Sequence, residues 1–227
     1  MSRLCFDYGH GGNDPGAIYR GRKEANDVLE VGKAVATTIR NHGVTVDEIR
    51  SSDSTVNLSE RSSYENRNNY DYFISFHRNA FEPEVAKGVE TYTYTNCSGK
   101  AKELAQKVQA SLIDVGFSNR GVKSANFHVL RETKAPAILI EIGFVDNSGD
   151  NRIFDDNKDK IVMNISKAIL EQLGIVYKEE SVGNFNNEKT LYRVMAGSFS
   201  IRENADKQVQ KLKAAGFDAA IIINYKS

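Results

Sequence analysis

Apolar positions over the first 176 residues alternate between short dense runs and longer stretches with helical spacing. Leu4–Tyr8 predicts a strand, and Val28, Val31, Val35 and Ile39 share one face of a helix over Asp27–Asn41 that Gly43 stops. Val44–Ile49 alternates as a second strand. Leu58–Asn68 is polar but compatible with a helix. Tyr72–Phe76 is a buried-strand run closed by His77, and Val89–Thr95 is rich in β-formers. Lys100–Val115 carries Leu104, Val108 and Leu112 along one side of a helix, Ala137–Phe144 follows Pro136 as another buried strand, and Lys160–Leu173 is a helix that ends at Gly174. Strands alternating with helices in this way predict an α/β domain over residues 1–176. Its sheet is expected to be mostly parallel or mixed, with helices on both faces.

The rhythm is lost in YKEESVGNFNNEK, residues 177–189, whose Asn, Glu and Gly content is that of a linker. It resumes in residues 190–227 as a strand (LYRVMAG), a helix over Ile201–Ala215 and a strand (DAAIIINY). Such a βαβ unit, below the roughly 40 residues at which a core stands alone, is expected to dock or pair with something. It holds six Lys and Arg against three Asp and Glu, in a chain that otherwise balances.

Composition narrows the function by exclusion. Thirty basic residues against 30 acidic ones leave no global argument for nucleic acid. No apolar run approaches the roughly 20 residues that cross a bilayer, so no membrane partner is expected. The start MSRLCFDYGHGG lacks the basic and apolar regions of a secretory signal, which predicts synthesis in the cytoplasm and action after release. Cys5 and Cys97 are too few and too far apart for a disulfide framework or a CxxC metal site. Metal chemistry would fall to histidine and carboxylate.

The sharpest local feature is CFDYGHGGNDPGA, a strand running into a glycine-rich loop with His10 at the junction. It does not match the GxGxxG dinucleotide fingerprint, and no GK[ST] follows. Its glycines let the chain turn at the carboxyl edge of an α/β sheet, where such folds place ligands. His77 ends the YFISF run in the same way, and two histidines at strand ends of one sheet can converge. A hydrolytic zinc site needs three protein ligands, for which two histidines and a glutamate are an established set. On spacing, Glu24 at the entry to the first helix ranks ahead of Asp14 in the turn, while Glu30 lies within the helix. Glu141, set among apolar residues in AILIEIGF, fits a general base with a raised pKa, and a partner of a structural arginine is the competing role. His128 is placed on the surface or lining the cleft, and His42 caps a helix end.

GHGGNDPGA, Glu24, ISFHRNA and AILIEIGFVDN, taken in order from about Leu4 to Ile175, resemble the zinc-dependent N-acetylmuramoyl-L-alanine amidases of bacterial autolysins and phage endolysins. The resemblance implies Zn2+ held by His10, Glu24 and His77, with Glu141 as general base and then general acid. It also implies peptidoglycan as substrate, cut at the amide between N-acetylmuramic acid and the L-alanine of the stem peptide. Arg78 and Asn79 are assigned to substrate binding. Arg78 stands where the family commonly has a small residue, and its charge is expected beside the crevice, facing acidic stem residues. LYRVMAGSFSIRENADKQVQKLKAAGFDAAIIINY resembles half of a sporulation-related repeat (SPOR) domain, which implies attachment to glycan strands and, through unpaired strand edges, a homodimer. The rival functions are a non-catalytic peptidoglycan-binding protein and a zinc peptidase that cuts within the stem.

Overall fold

A computed structural model describes residues 2–95, 97, 99–178 and 200–215. The chain divides into two units, residues 1–179 and 180–227. In chain order the first holds β1 (Arg3–Tyr8), a hairpin of β2 (Ile18–Tyr19) and β3 (Arg22–Lys23), α1 (Glu24–Asn41), β4 (Thr45–Glu48), α2 (Leu58–Asn66), β5 (Tyr72–Asn79) and β6 (Val89–Thr93). It continues with α3 (Lys100–Val115), β7 (Asn119–Ser124), the single turn α4 (His128–Arg131), β8 (Ala137–Phe144), α5 (Ser148–Asp156) and α6 (Lys158–Gln172). In the second unit α7 (Arg202–Ala214) is described. It agrees with the predicted helix, whereas the two predicted flanking strands lie outside the described residues.

Six strands form one sheet in the order β4-β1-β5-β8-β6-β7. The first four run parallel, and β6 and β7, parallel to each other, run antiparallel to them through the β8–β6 pair. The sheet is therefore mixed and mostly parallel. Alternate residues feed two cores. Leu4, Phe6, Ile74, Phe76, Ile138 and Ile140 pack with Val31, Leu104 and Ile165 of α1, α3 and α6. Cys5, Phe73 and Leu139 meet Val129 and Leu130 of α4 on the other face. Because both faces are covered, β1, β5 and β8 are near-continuous apolar runs, which is what made them legible in the sequence.

Several elements escaped the apolar pattern. β7 (NRGVKS) is an edge strand with little to bury, and the β2–β3 hairpin, α4 and α5 are short. Helix α1 begins at Glu24, three residues before its apolar periodicity, because the preceding loop caps it: the N–H groups of Glu24 and Ala25 donate to the carbonyls of Ala17 and Pro15 at 3.0 and 3.1 Å. Cys5 and Cys97 are not joined in a disulfide. No helix among the described residues is long and apolar enough to cross a membrane.

Candidate active site

Three elements deliver the site. β1 carries the chain to Gly9 and His10, β5 carries His77, and the capped first turn of α1 carries Glu24. His10 Nε2 lies 3.1 Å and His77 Nδ1 2.9 Å from Glu24 Oε1, with the imidazole rings 5.0 Å apart and nearly perpendicular. One donor atom from each residue falls within 4.8 Å of the others. Adjacent donors around a tetrahedral zinc stand roughly 3.3 Å apart, so the spacing suits one such ion. The electrostatics agree with a cation at this point. Nitrogen lone pairs and a carboxylate oxygen crowded together repel unless a proton or a metal ion lies between them. Burial by itself would lift the Glu24 carboxyl, but hydrogen bonds and charge from His10 and His77 hold it well below the usual carboxylate range. Burial likewise opposes the charge on His10, and Glu24 and Asp14 reverse that and raise its pKa.

Asp14, second choice as a ligand on spacing, does a different job. Its Oδ2 lies 2.8 Å from His10 Nδ1, and its Oδ1 accepts from the Gly16 N–H. A carboxylate only accepts, so Nδ1 keeps its proton and Nε2 is left to face the cluster. Glu24 is fixed as well: Oε2 accepts from the Ala17 N–H, and Oε1 from the Arg78 N–H.

Sequence reasoning missed the residues that shape the His10 turn. His10 itself has φ +60°, a left-handed conformation costly to a residue with a Cβ. Two buried arginines hold it there. Arg50 donates to the carbonyls of Tyr8, Gly9 and Ala25, and Arg61 to those of Tyr8 and His10 and to Asp7, whose other oxygen accepts from Ser75. Neither arginine sits in a motif that marks it, since each acts on backbone far away in sequence. Gly9 is required by space, because a Cβ there would lie 2.2 Å from the His77 ring.

Glu141 is the cross-strand partner of His77 in the parallel β5–β8 pair, so both side chains leave the same face of the sheet. Its Oε2 is buried with no hydrogen-bond partner among the described residues. Desolvation first, then repulsion from Glu24 and Glu90, raises its pKa well above the usual carboxylate value, against a smaller opposing effect of Arg78. Among the described residues no hydrogen bond or ion pair supports the structural-arginine role for Glu141.

Arg78 corrects the sequence reading. It follows His77 in a strand, so its side chain leaves by the opposite face, and it is 1% exposed. There it bonds Asp27 at 2.5 Å, the Ile142 carbonyl and Asn151 at 2.9 Å, and lies 4.2 Å over the Phe154 ring. It faces the interior and has no access to a crevice. Asn79 turns its Oδ1 onto the Ala80 N–H. His128 bonds Ser62 between α4 and α2, outside the His10–Glu24–His77 cluster, and His42 bonds the Thr38 carbonyl and stacks on Tyr177.

The chain matches the family model described as N-acetylmuramoyl-L-alanine amidase over residues 4–171, and that of the SPOR domain over residues 165–223. The second match starts inside α6, upstream of the segment expected from the sequence. A sporulation-specific N-acetylmuramoyl-L-alanine amidase of Bacillus subtilis is 33% identical, and the amidase CwlM of Bacillus licheniformis 34%, each aligned over 98% of this chain and 85% of its own length. The crystal structure of an N-acetylmuramoyl-L-alanine amidase from Clostridium difficile superposes with a TM-score of 0.73 at 32% identity, covering 76% of this chain and 97% of that one. Fold and sequence similarity agree, and the chain belongs to the N-acetylmuramoyl-L-alanine amidase family.

Proposed function

We propose that the chain cleaves the amide between N-acetylmuramic acid and L-alanine with one zinc ion held by His10, Glu24 and His77, and with Glu141 as its proton carrier. The amidase activity and the peptidoglycan substrate follow from the family; the metal and the residue roles are our reading. The observation that carries it is the pairing of a three-donor cluster with an unpartnered, buried carboxylate on the adjacent strand. Zinc bound there would supply Lewis-acid polarisation of the amide carbonyl and ease deprotonation of water.

The protein's own groups do the rest. Asp14 fixes the His10 tautomer, and the N–H groups of Ala17 and Arg78 fix Glu24. Glu141, paired across the strands with His77, takes a proton from the attacking water and returns it to the alanine nitrogen as the C–N bond breaks. The products are a lactyl carboxylate on the glycan and a stem peptide with a free amino terminus. Asn79, at the strand end two residues beyond His77, is proposed to contact the substrate. The SPOR match supports anchoring to the wall, and pairing of two chains through the C-terminal segment is a proposal that light scattering tests.

Digestion of purified cell wall, with and without a chelator, followed by mass spectrometry tests this reading. Stem peptides beginning with L-alanine, lost on chelation and restored by zinc, are expected. Cleavage within the stem would instead identify the peptidase alternative, and no release at all the non-catalytic one.

A further inference from the structure

The face of the sheet that bears His77 and Glu141 continues past the metal cluster. Cross-strand pairing places Glu90 of β6 beside Glu141, and Glu90 is 1% exposed. Its carboxylate accepts from Tyr92, from Arg120 and, at 2.8 Å, from Lys123. The polar row therefore runs His77, Glu141, Glu90 and ends on two cations at the edge strand β7.

That both cations reach this face needs an explanation. Residues 120 and 123 are an odd number of positions apart, and a regular strand would send them to opposite faces. The β6–β7 register shifts at this point: Val89 pairs Asn119, but Thr91 pairs Val122, so one extra β7 residue is accommodated, and Gly121 sits at φ +87°. Such a bulge re-aims side chains. Asn119 Oδ1 accepts from the Gly121 N–H and braces it. Here the bulge brings Arg120 and Lys123 together over one carboxylate, that of Glu90. Their side chains remain 35% and 38% exposed, and Arg120 uses Nε for Glu90, with Phe144 under the guanidinium. Its terminal amino groups have no hydrogen-bond partner among the described residues.

We propose that Arg120 and Lys123 form the subsite that receives the free carboxylate of the second stem-peptide residue, on the leaving-group side of the scissile amide. This inference rests on the amidase reading above. The chemistry selects the peptide over the glycan, because the N-acetylated sugars are neutral and the lactyl carboxyl is consumed in the amide, while the stem carries free carboxylates. The dimensions agree. β8 to β7 spans two strand spacings, about 10 Å, less the reach of the two side chains, and a peptide advances roughly 3.5 Å per residue. The role assigned in the sequence to Arg78 thus passes to two residues that meet Glu90 on the sheet face bearing His77 and Glu141.

The test is steady-state kinetics on two muramoyl stem peptides that are identical except that the carboxyl of the second residue is free in one and amidated in the other. The wild-type enzyme is expected to favour the free acid by about tenfold in kcat/KM, the scale of one charge-assisted contact. Lys123→Met and Arg120→Gln should raise KM for the free acid by about that factor, leave kcat within about twofold, and leave the amidated substrate unaffected. Arg120→Lys and Lys123→Arg should keep most of the preference. Equal losses on both substrates, or a wild type that cuts both equally well, would overturn the subsite while leaving the amidase reading intact. A wild type that cuts neither would overturn both. Should an uncharged variant fail to fold, the wild-type preference and its loss with added salt still decide the matter.

Discussion

Replacing Arg78 by methionine tests whether this residue is structural or substrate-binding. Met matches much of its volume and can still lie on Phe154, but it donates no hydrogen bond. The substitution leaves the Ile142 carbonyl and the Asn151 Oδ1 without the Arg78 donor, while the Phe144 carbonyl keeps the Asn147 N–H, and it takes one of two cations from Asp27, whose other partner is Arg22 at 2.6 Å. Breaking a buried ion pair costs about 3–5 kcal/mol, and each abandoned buried acceptor about 1–3 kcal/mol. Arg22 softens the first cost and slight repacking the second, so a net loss of about 3–5 kcal/mol is expected. That is a large part of the roughly 5–15 kcal/mol that holds a domain together. At about 2–4 °C per kcal/mol for a domain of this size, Tm should fall by about 10 °C, and the urea midpoint should move with it. KM on soluble muropeptides, measured well below the new Tm, should stay within about twofold. A variant of unchanged Tm whose KM rises tenfold would refute the reasoning and return Arg78 to the crevice.

Other expectations follow from the same site. Glu141→Gln should retain metal on elemental analysis yet lose about 10²–10⁴ in kcat, the usual range for a general acid–base group. In the metal-free protein the raised Glu141 pKa means that stability present below the unfolded-state value, about 4.3, is lost as pH rises toward the folded value. Glu141→Gln should therefore raise the apo-protein Tm at neutral pH and flatten its decline over that window, and an unchanged curve would show that the carboxylate has a partner. Asp14→Asn should weaken metal retention against a competing chelator by about 10–100-fold, as expected for a carboxylate that orients a ligand histidine, with little change in Tm. Gly9→Ala should lose metal by displacing the His77 ring; if its affinity is unaltered, the close approach is not rigid.

The sequence by itself determined the strands buried on both faces and the long amphipathic helices. It also singled out His10, Glu24, His77 and Glu141 as candidates, because strand ends, the glycine loop and the motifs that resemble the amidase family are local properties. It contained one more answer that spacing alone obscured: strand alternation already sends Arg78 away from the face of His77. Tertiary structure alone decided the rest. That Glu24 joins His10 and His77 in the three-donor cluster while Asp14 turns to His10 Nδ1 depends on how a loop folds back onto the helix it caps. That Arg50 and Arg61 hold the His10 turn depends on backbone carbonyls about 40–50 residues distant. That Arg120 and Lys123 meet over Glu90 depends on a one-residue bulge in an edge strand with almost no apolar signal. In the last two cases the deciding contact joins groups far apart in the chain, and in the first it depends on a loop closing on its own helix, so only folding fixes the separations.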